Sequence, residues 1–200
     1  MKQRKGDWGY IKRAKKKTLL LDLFLFAVPL GIFFSAWGYH GSRLTIWTVI
    51  AIVGCLPACK VLVNLLLLLP QKSILEEDYK VYHKAGADLT MLYELFVTGY
   101  EKNAFLDALA ICGNQIVAFS RNKKENIRYQ EKEIEKILRG NGFKVRVKIV
   151  DKKDVFLDRL ASLSRNREDL RAGIVYTPRE PYEDLSREEY MKHLLLAISM

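Results

Sequence analysis

The sequence predicts an α/β (α+β) domain with a central mixed sheet, preceded by a hairpin of two transmembrane helices. Two long apolar runs, each with a single charge, lie in the first third of the chain, and Pro70 ends the second. The remainder alternates short apolar segments with amphipathic ones, which is typical of sheet and helix in one domain. We therefore predict a basic cytoplasmic tail at 1–18, a transmembrane hairpin at 19–70 and a cytoplasmic α/β domain at 71–200.

The first apolar run, LLLDLFLFAVPLGIFFSAWG at 19–38, contains one charge, Asp22. As a helix it is about 30 Å long, the thickness of a bilayer core. The second run, LTIWTVIAIVGCLPACKVLVNLLLLL at 44–69, contains one charge, Lys60, and is long enough to require a tilt or a kink. A cleaved signal peptide is the alternative for 19–38, but the run is too long and no small-x-small cleavage site follows it.

The net charge of +10 is concentrated at the N-terminus, where 1–18 carries eight basic residues and one acidic residue. Positive residues beside a span favour the cytoplasm, and the loop between the two runs is too short to hold a domain. We expect a multi-pass protein of the cell membrane with both termini in the cytoplasm. The basic tail, which contains Trp8 and Tyr10, is also a candidate for binding anionic lipid, although such clusters often act only as topology signals.

Small residues line one side of the second helix and predict close packing against another helix. These transmembrane packing residues are Ala51, Gly54, Cys55, Ala58 and Cys59. Palmitoylation and a redox or metal site are alternatives for the two cysteines. Helix positions four apart are poorly spaced for a disulfide, and neither span contains a histidine to complete a metal site.

Polar residues within the spans suggest that the second helix also contacts another chain. Lys60 and Asn64 share the helix face opposite the small residues, together with Pro57. Asp22 is a possible partner of Lys60, although the two side chains lean apart. We hypothesise that this face meets a second subunit or another protein. The alternatives are a kinked helix that ends near Lys60, or a channel or transporter subunit in which Lys60 lines a path.

Within 71–200 we expect a helix, three strands, a helix, a strand, a helix, a strand and a final helix. The segments are, in that order, a helix from about 74, then 89–98, 104–112, 115–120, 122–142, 143–150, 154–163, 173–177 and 186–200. Capping boxes, Ser73 with Glu76 and Ser186 with Glu189, mark two helix starts. The dipeptide at 113–114, Gly-Asn, is typical of a tight hairpin turn.

Motifs for bound cofactors are absent from the sequence. There is no G-x-x-x-x-G-K-[ST], no G-x-G-x-x-G, no Cys-x-x-Cys and no His-x-x-x-His, so we expect no cofactor and no metal. The three histidines, His40, His83 and His193, are far apart and are expected at the surface. Cys112 is expected to be a buried small residue.

The strand at 143–150 has a basic face formed by Lys144, Arg146 and Lys148. These side chains are candidates for contact with phosphate, in nucleic acid or in anionic lipid. The alternative is a solvated face balanced by the glutamates of the preceding helix. The near-neutral charge of the domain, with 23 basic and 21 acidic residues, favours this alternative and makes nucleic acid a less favoured partner.

The stretch FLDALAICGNQIVAFSRN, at 105–122, resembles the hairpin of NERD-type members of the PD-(D/E)XK nuclease-like fold, and the element order from 73 to 150 is similar to theirs. The resemblance places Asp107 at the family's metal-binding aspartate. Phe119 replaces the family's glutamate and Arg121 its lysine, so the resemblance implies that the metal site has been lost. Without the resemblance, Asp107 is expected to be a solvent-facing strand residue.

These observations predict an integral membrane protein whose cytoplasmic domain is non-catalytic and serves protein interaction or self-association. Its expected partners are the membrane, anionic lipid, and another protein or a second copy of the chain. The alternative is a membrane-tethered nuclease-like domain that binds or cleaves nucleic acid, with Asp107 as a catalytic residue. A second carboxylate close to Asp107, either Glu94 or Glu101, would favour that alternative.

Overall fold

The computed structural model describes residues 4–41, 45–98, 103–121, 127–176 and 182–199. Glu101, one of the two carboxylates considered above, lies outside these ranges. The chain forms two compact units. One is Ile11–Lys72, and the other combines Met1–Tyr10 with Ser73–Met200.

The first unit consists of two long helices, α1 (Tyr10–His40) and α2 (Ile46–Leu68). Both are long and apolar enough to cross a membrane. Many of their large apolar side chains are exposed, among them Leu23 at 68% and Phe24 at 67%. Such exposure is expected of helices that face lipid, and it suggests membrane association.

The segment predicted as a basic tail has two structurally different parts. Helix α1 begins at Tyr10, so the second half of 1–18 is helical and continuous with the apolar run. Residues 4–9 belong instead to the unit that contains the sheet.

The second unit is an α/β domain built on a four-stranded mixed sheet. Its helices are α3 (Glu76–Ala85), α4 (Ile127–Gly140), α5 (Lys153–Arg165), α6 (Arg167–Arg171) and α7 (Arg187–Ala197). Its strands are β1 (Thr90–Val97), β2 (Ala104–Cys112), β3 (Gln115–Phe119) and β4 (Arg146–Val150). The strand order is β1-β2-β3-β4, with the first two pairings antiparallel and the last parallel. The predicted mixed sheet is confirmed.

Helices cover both faces of the sheet, and each face has its own apolar core. On the α3/α5 face, Tyr82 and Phe156 pack with Phe119 of β3. On the α4/α7 face, Leu138 and Met191 pack with the inward-facing residues of β4. The hairpin predicted at 113–114 is also present, since Cys112 pairs with Gln115 across the turn.

The strand predicted at 173–177 is wrong for the residues that the structure describes there. Residues 173–176 form no strand, and Val175 is 93% exposed; position 177 is outside the described residues. The outer edge of β4 is already occupied, because the amides of Val147 and Ile149 donate to Glu135 and Glu131 of α4. A fifth strand on this edge would have to displace those carboxylates.

The two predicted capping boxes have different outcomes. The box at the start of α7 is confirmed, with Ser186 and Glu189 exchanging hydrogen bonds. The box predicted at Ser73 is wrong: the N-cap of α3 is Leu75, and the Ser73 hydroxyl donates to Glu94. The short helix α6, which follows α5 directly, was not predicted.

Candidate functional site

Two buried carboxylates, Glu94 on β1 and Asp107 on β2, lie opposite each other in the sheet. Each residue is 1% exposed. The residues that flank them pair with one another, Tyr93 with Ala108 and Leu95 with Leu106. Asp107 was expected to face solvent as an ordinary strand residue, and this prediction is wrong because helices cover both faces of the sheet.

In both strands the alternation of side chains between the two faces of the sheet is interrupted, at Glu94 in β1 and at Asp107 in β2. Residues two apart in a regular strand share a face, yet Tyr93 packs on the α3/α5 face and Leu95 on the α4/α7 face. Leu106 and Ala108 show the same change on β2. Glu94 has φ of +52°, the only positive φ at a described residue other than glycine. Irregularities of this kind change the direction in which side chains point, and here they occur at the two acidic residues.

Asp107 is held by Arg121, which follows the end of β3. The guanidinium donates to Oδ1 from Nε at 2.8 Å and from Nη2 at 2.5 Å, while the Arg121 amide donates to Oδ2 at 2.8 Å. The Arg121 side chain is 40% exposed, so the pair is reached from solvent through the arginine. Both carboxylate oxygens are therefore already engaged.

Glu94 is held by the segment that precedes α3. Its Oε1 accepts hydrogen bonds from the Ser73 hydroxyl and from the Ile74 amide, the latter at 3.1 Å. The serine that was predicted to cap α3 thus stabilises a buried carboxylate of the sheet instead.

Burial, hydrogen bonds and neighbouring charges shift the pKa values of the groups in this site. Burial raises the pKa of Asp107, and Glu94 acts in the same direction, while hydrogen bonds and charge from Arg121 lower it. Burial by itself would lower the pKa of Arg121, but Asp107 raises it above its usual value. Burial also raises the pKa of Tyr82, and nearby Asp78 and Asp107 add to the effect.

A second ion pair, between Lys153 of α5 and Asp78 of α3, lies beside Tyr82. The Lys153 ammonium is 5.8 Å from the centre of the Tyr82 ring. Among the described residues, no group of three His, Cys, Asp or Glu side chains could hold a metal ion. Metal binding at Asp107 would require Arg121 to move away, so the arrangement as described is an internal ion pair.

The basic face predicted on β4 is present, but its members have different environments. Lys144, Arg146 and Lys148 are all exposed. Lys148 forms an ion pair with Glu131 at 3.3 Å, as the solvated alternative predicted. For Lys144 and Arg146, the described residues provide no carboxylate within ion-pair distance.

The small residues of α2 are partly in contact with α1. Ala51 is 5% exposed and Ala58 0%. A Cβ on Gly54 would lie 3.3 Å from Cγ of Pro29 in α1, so glycine permits a close approach there. Cys55 is half-buried, whereas Cys59 is exposed and does not belong to this contact within the chain.

The polar residues of the two spans do not pair with one another. Asp22 is 6% exposed, and its Oδ1 has no hydrogen-bond partner among the described residues. Lys60 is exposed and Asn64 half-buried. One basic residue has a role that the sequence did not indicate: Lys15 donates to the carbonyl oxygens of Leu69 and Gln71 at the end of α2, at 2.7 and 2.5 Å.

Sequence reasoning also missed the role of residues 4–9, which pack on the α/β domain as an N-terminal strap. The Gly6 carbonyl accepts from the Tyr93 amide of β1 at 2.8 Å, and Trp8 Nε1 donates to the Ile74 carbonyl at 3.0 Å. The Trp8 ring stacks on Tyr79 of α3 with centroids 4.9 Å apart. A tryptophan between two glycines in a charged tail was the available signal.

No protein-family model, curated protein or solved structure matches this chain. The resemblance to the nuclease-like fold therefore depends on the element order and the residues of this chain alone.

Proposed function

We propose that this protein is an integral membrane protein whose α/β domain is non-catalytic and serves protein interaction or self-association. The observation that carries the proposal is the ion pair of Asp107 with Arg121. Both oxygens of the carboxylate best placed for metal chemistry accept hydrogen bonds from Arg121: Oδ1 from the permanently charged guanidinium and Oδ2 from the backbone amide. A carboxylate in that state has little capacity left for a divalent cation.

The N-terminal strap supports a two-pass topology for the membrane part. The strap precedes α1, and the domain that it packs on follows α2. Both therefore lie on one side of any membrane, and an even number of crossings must separate them. Two apolar helices meet this condition, and the adjacent positive charge favours the cytoplasm for the strap and the domain.

This topology is tested by cysteine labelling in intact cells. In a cysteine-free variant, a cysteine at Gly41 is expected to react with a membrane-impermeant maleimide added outside. A cysteine at His193, an exposed position on α7, is expected to react only after permeabilisation. Labelling of both positions, or of neither, before permeabilisation would contradict the two-pass arrangement.

Anionic lipid is the partner that we propose for the start of α1. Lys12, Arg13, Lys16 and Lys17 are exposed on the turns that precede the apolar run, while Lys15 is engaged at the end of α2. Each basic group near an anionic leaflet contributes about 1 kcal/mol of attraction.

Self-association is proposed through the face of α2 that carries Lys60 and Asn64. A charged side chain within a span is costly in lipid and usually meets a polar partner or water. We expect Lys60→Leu to reduce the oligomer size of the full chain in detergent, measured by light scattering, with Lys80→Leu on α3 as the control. An unchanged size in Lys60→Leu would remove this interface.

The absence of catalysis is tested with the full chain in detergent, incubated with labelled DNA and RNA and with Mg²⁺ or Mn²⁺. We expect no cleavage by the unaltered protein. Cleavage that depends on the metal and is lost in Asp107→Asn but kept in Asp158→Asn, an exposed carboxylate of α5, would overturn the proposal.

A membrane-tethered nuclease-like domain is the second candidate. It is favoured by the position of Glu94, which gives Asp107 a second buried carboxylate across the β1–β2 pair. Arg121→Lys provides its test, since it restores the residue type of the family at this position. Metal-dependent cleavage in this variant would support a nuclease ancestry of the site.

A further inference from the structure

A groove beside the β2–β3 turn has a chemical character different from that of the Asp107 site. It has a volume of about 440 Å³ and lies between the turn, the loop before β4, the segment 173–176 and the start of α7. We call it the turn groove. Its polar lining includes Asn114, Lys144, Tyr176 and Arg187. Among the described residues, no Asp or Glu side chain lines it.

Arg187 is only partly exposed and has no carboxylate within ion-pair distance among the described residues; its neighbour Glu188 pairs with Arg171. Its guanidinium donates to the Gly113 carbonyl at 2.5 Å and to Asn114 Oδ1, and it lies over the Phe143 ring, 5.4 Å from the ring centre. Burial lowers the pKa of Arg187. A guanidinium has five N–H donors, so others remain for an anion.

Tyr176 supplies an independent observation. Its hydroxyl oxygen is buried and has no hydrogen-bond partner among the described residues. A buried hydroxyl without a partner is costly, and it is rare in folded proteins unless something else satisfies it. The same tyrosine lines the turn groove, and its ring stacks on Phe143 with centroids 6.2 Å apart.

The positive charge extends beyond the groove. A neighbouring hollow of about 680 Å³ shares Asn114 and Lys144 with it and adds Arg139 and Arg146. Its one described carboxylate, Glu135, accepts a hydrogen bond from the Val147 amide. The surface around the groove therefore attracts anions. Lys144 and Arg187 have no carboxylate within ion-pair distance among the described residues, and two such cations side by side favour a dianion over a single carboxylate.

We propose that the turn groove binds a phosphate-bearing small molecule, whose phosphate oxygens accept hydrogen bonds from Arg187, Lys144 and the Tyr176 hydroxyl. The proposal is independent of the membrane helices and of the Asp107 site. A free phosphate ester and a lipid headgroup offer the same chemistry, and the test separates them.

The test uses the full chain in detergent, titrated at constant ionic strength with inorganic phosphate, glycerol 3-phosphate, AMP and short-chain phosphatidic acid. Calorimetry gives the Kd, and thermal unfolding gives the shift in Tm that binding to the folded state requires. We expect saturable binding of at least one probe. A response to the water-soluble esters identifies a free metabolite, and a response to phosphatidic acid alone identifies a headgroup; either supports the site.

Three variants and one control assign the binding to the groove. Lys144→Gln, Arg187→Gln and Tyr176→Phe should each weaken binding roughly tenfold, the effect of one charge-assisted hydrogen bond. Lys148→Gln is the matched control, because its ammonium pairs with Glu131 outside the groove.

Tyr176→Phe keeps the test informative if Arg187→Gln does not fold. Without ligand this variant should have an equal or higher Tm, since it removes a buried hydroxyl that has no described partner. No saturable binding of any probe to the unaltered protein would overturn the proposal. Equal affinity of Lys144→Gln, Tyr176→Phe and the unaltered protein would overturn it as well.

Discussion

At the scale of single residues, the chemistry open to the two buried carboxylates of the sheet depends on the groups that donate hydrogen bonds to them. Asp107 accepts hydrogen bonds from both the backbone and the guanidinium of Arg121, whereas Glu94 is bound by Ser73 and Ile74. A lysine at the arginine position would leave room for a cation beside Asp107. Arginine is larger and forms a two-pronged pair, so it neutralises the carboxylate and occupies the space.

Arg121→Ala is expected to destabilise the domain strongly at pH 7, because it leaves Asp107 buried without a counter-charge. The cost should be about 3 kcal/mol, the lower end for broken buried pairs, since the arginine is 40% exposed. Thermal unfolding in detergent measures the change. Lys136→Ala, which breaks a surface pair in which the lysine side chain is 79% exposed, should change stability by less than about 1 kcal/mol.

The pH dependence of Arg121→Ala provides a second check. Burial raises the pKa of Asp107 above its ordinary 3.8, and loss of the arginine raises it further. The folded protein then takes up a proton at a higher pH than the unfolded chain, so acidification favours the folded state. The destabilisation should therefore shrink as the pH falls through the Asp107 pKa. A cost that does not decrease at any pH below 7 would contradict this account.

At the scale of elements, Glu188 ties the start of α7 to the sheet and to the β2–β3 turn. Its carboxylate accepts from the Gly113 amide, the Thr90 hydroxyl and the Arg171 guanidinium, all at 2.8–2.9 Å. Burial raises the pKa of Glu188, but these hydrogen bonds lower it more, so that the pKa lies below 4.5. One glutamate in the first turn of α7 thus binds three other parts of the domain: β1, the β2–β3 turn and α6.

Glu188→Gln should cost about 1–2 kcal/mol at pH 7, because the acceptor loses its negative charge and two of the four donors lose their acceptor oxygen. A lowered folded pKa contributes stability above the unfolded pKa and loses it as the pH falls through the folded value. The difference from the unaltered protein should therefore disappear in acid. Unfolding curves at pH 7 and at pH 4 and below measure it, with Glu168→Gln as control because the Glu168 side chain is 90% exposed.

At the scale of the whole molecule, the strap at 4–9 and the residues after α7 meet at the β1 edge of the sheet. The Gly6 carbonyl accepts from the Tyr93 amide, and the Lys5 ammonium donates to the Ser199 carbonyl at 2.9 Å. Val97 bridges to Ser199 beside them. The edge that would otherwise be open to another strand is thus covered by residues that precede α1 and by residues that follow α7.

Gly6→Val is expected to loosen this edge although it lies far from the domain in sequence. Gly6 has φ of +85°, and a Cβ there would lie 2.6 Å from Cδ2 of Leu92, so the strap cannot keep its position. Hydrogen exchange at the Tyr93 amide should become faster. Trp47→Ala, on α2, should leave this exchange unchanged; an unchanged rate in Gly6→Val would show that the strap does not protect β1.

The amino-acid sequence by itself determined the elements whose signals are local. The alternation of residues 143–150, the Gly-Asn turn and the Ser186 capping box depend on neighbours in the chain, and all three are present. The apolar runs likewise define two long helices. These signals persist because backbone conformation and periodic burial are set within a few residues.

Only the tertiary structure decided what the polar side chains do. Ser73 was predicted to cap α3 but binds Glu94, and Asp107 was predicted to face solvent but is buried. Residues 173–176 form no strand, and the β4 edge is bound by two glutamates instead. Each outcome depends on a partner distant in sequence. The free energy of a buried charge or an open strand edge depends on which group contacts it. That group is distant in sequence, so a local sequence pattern does not predict it.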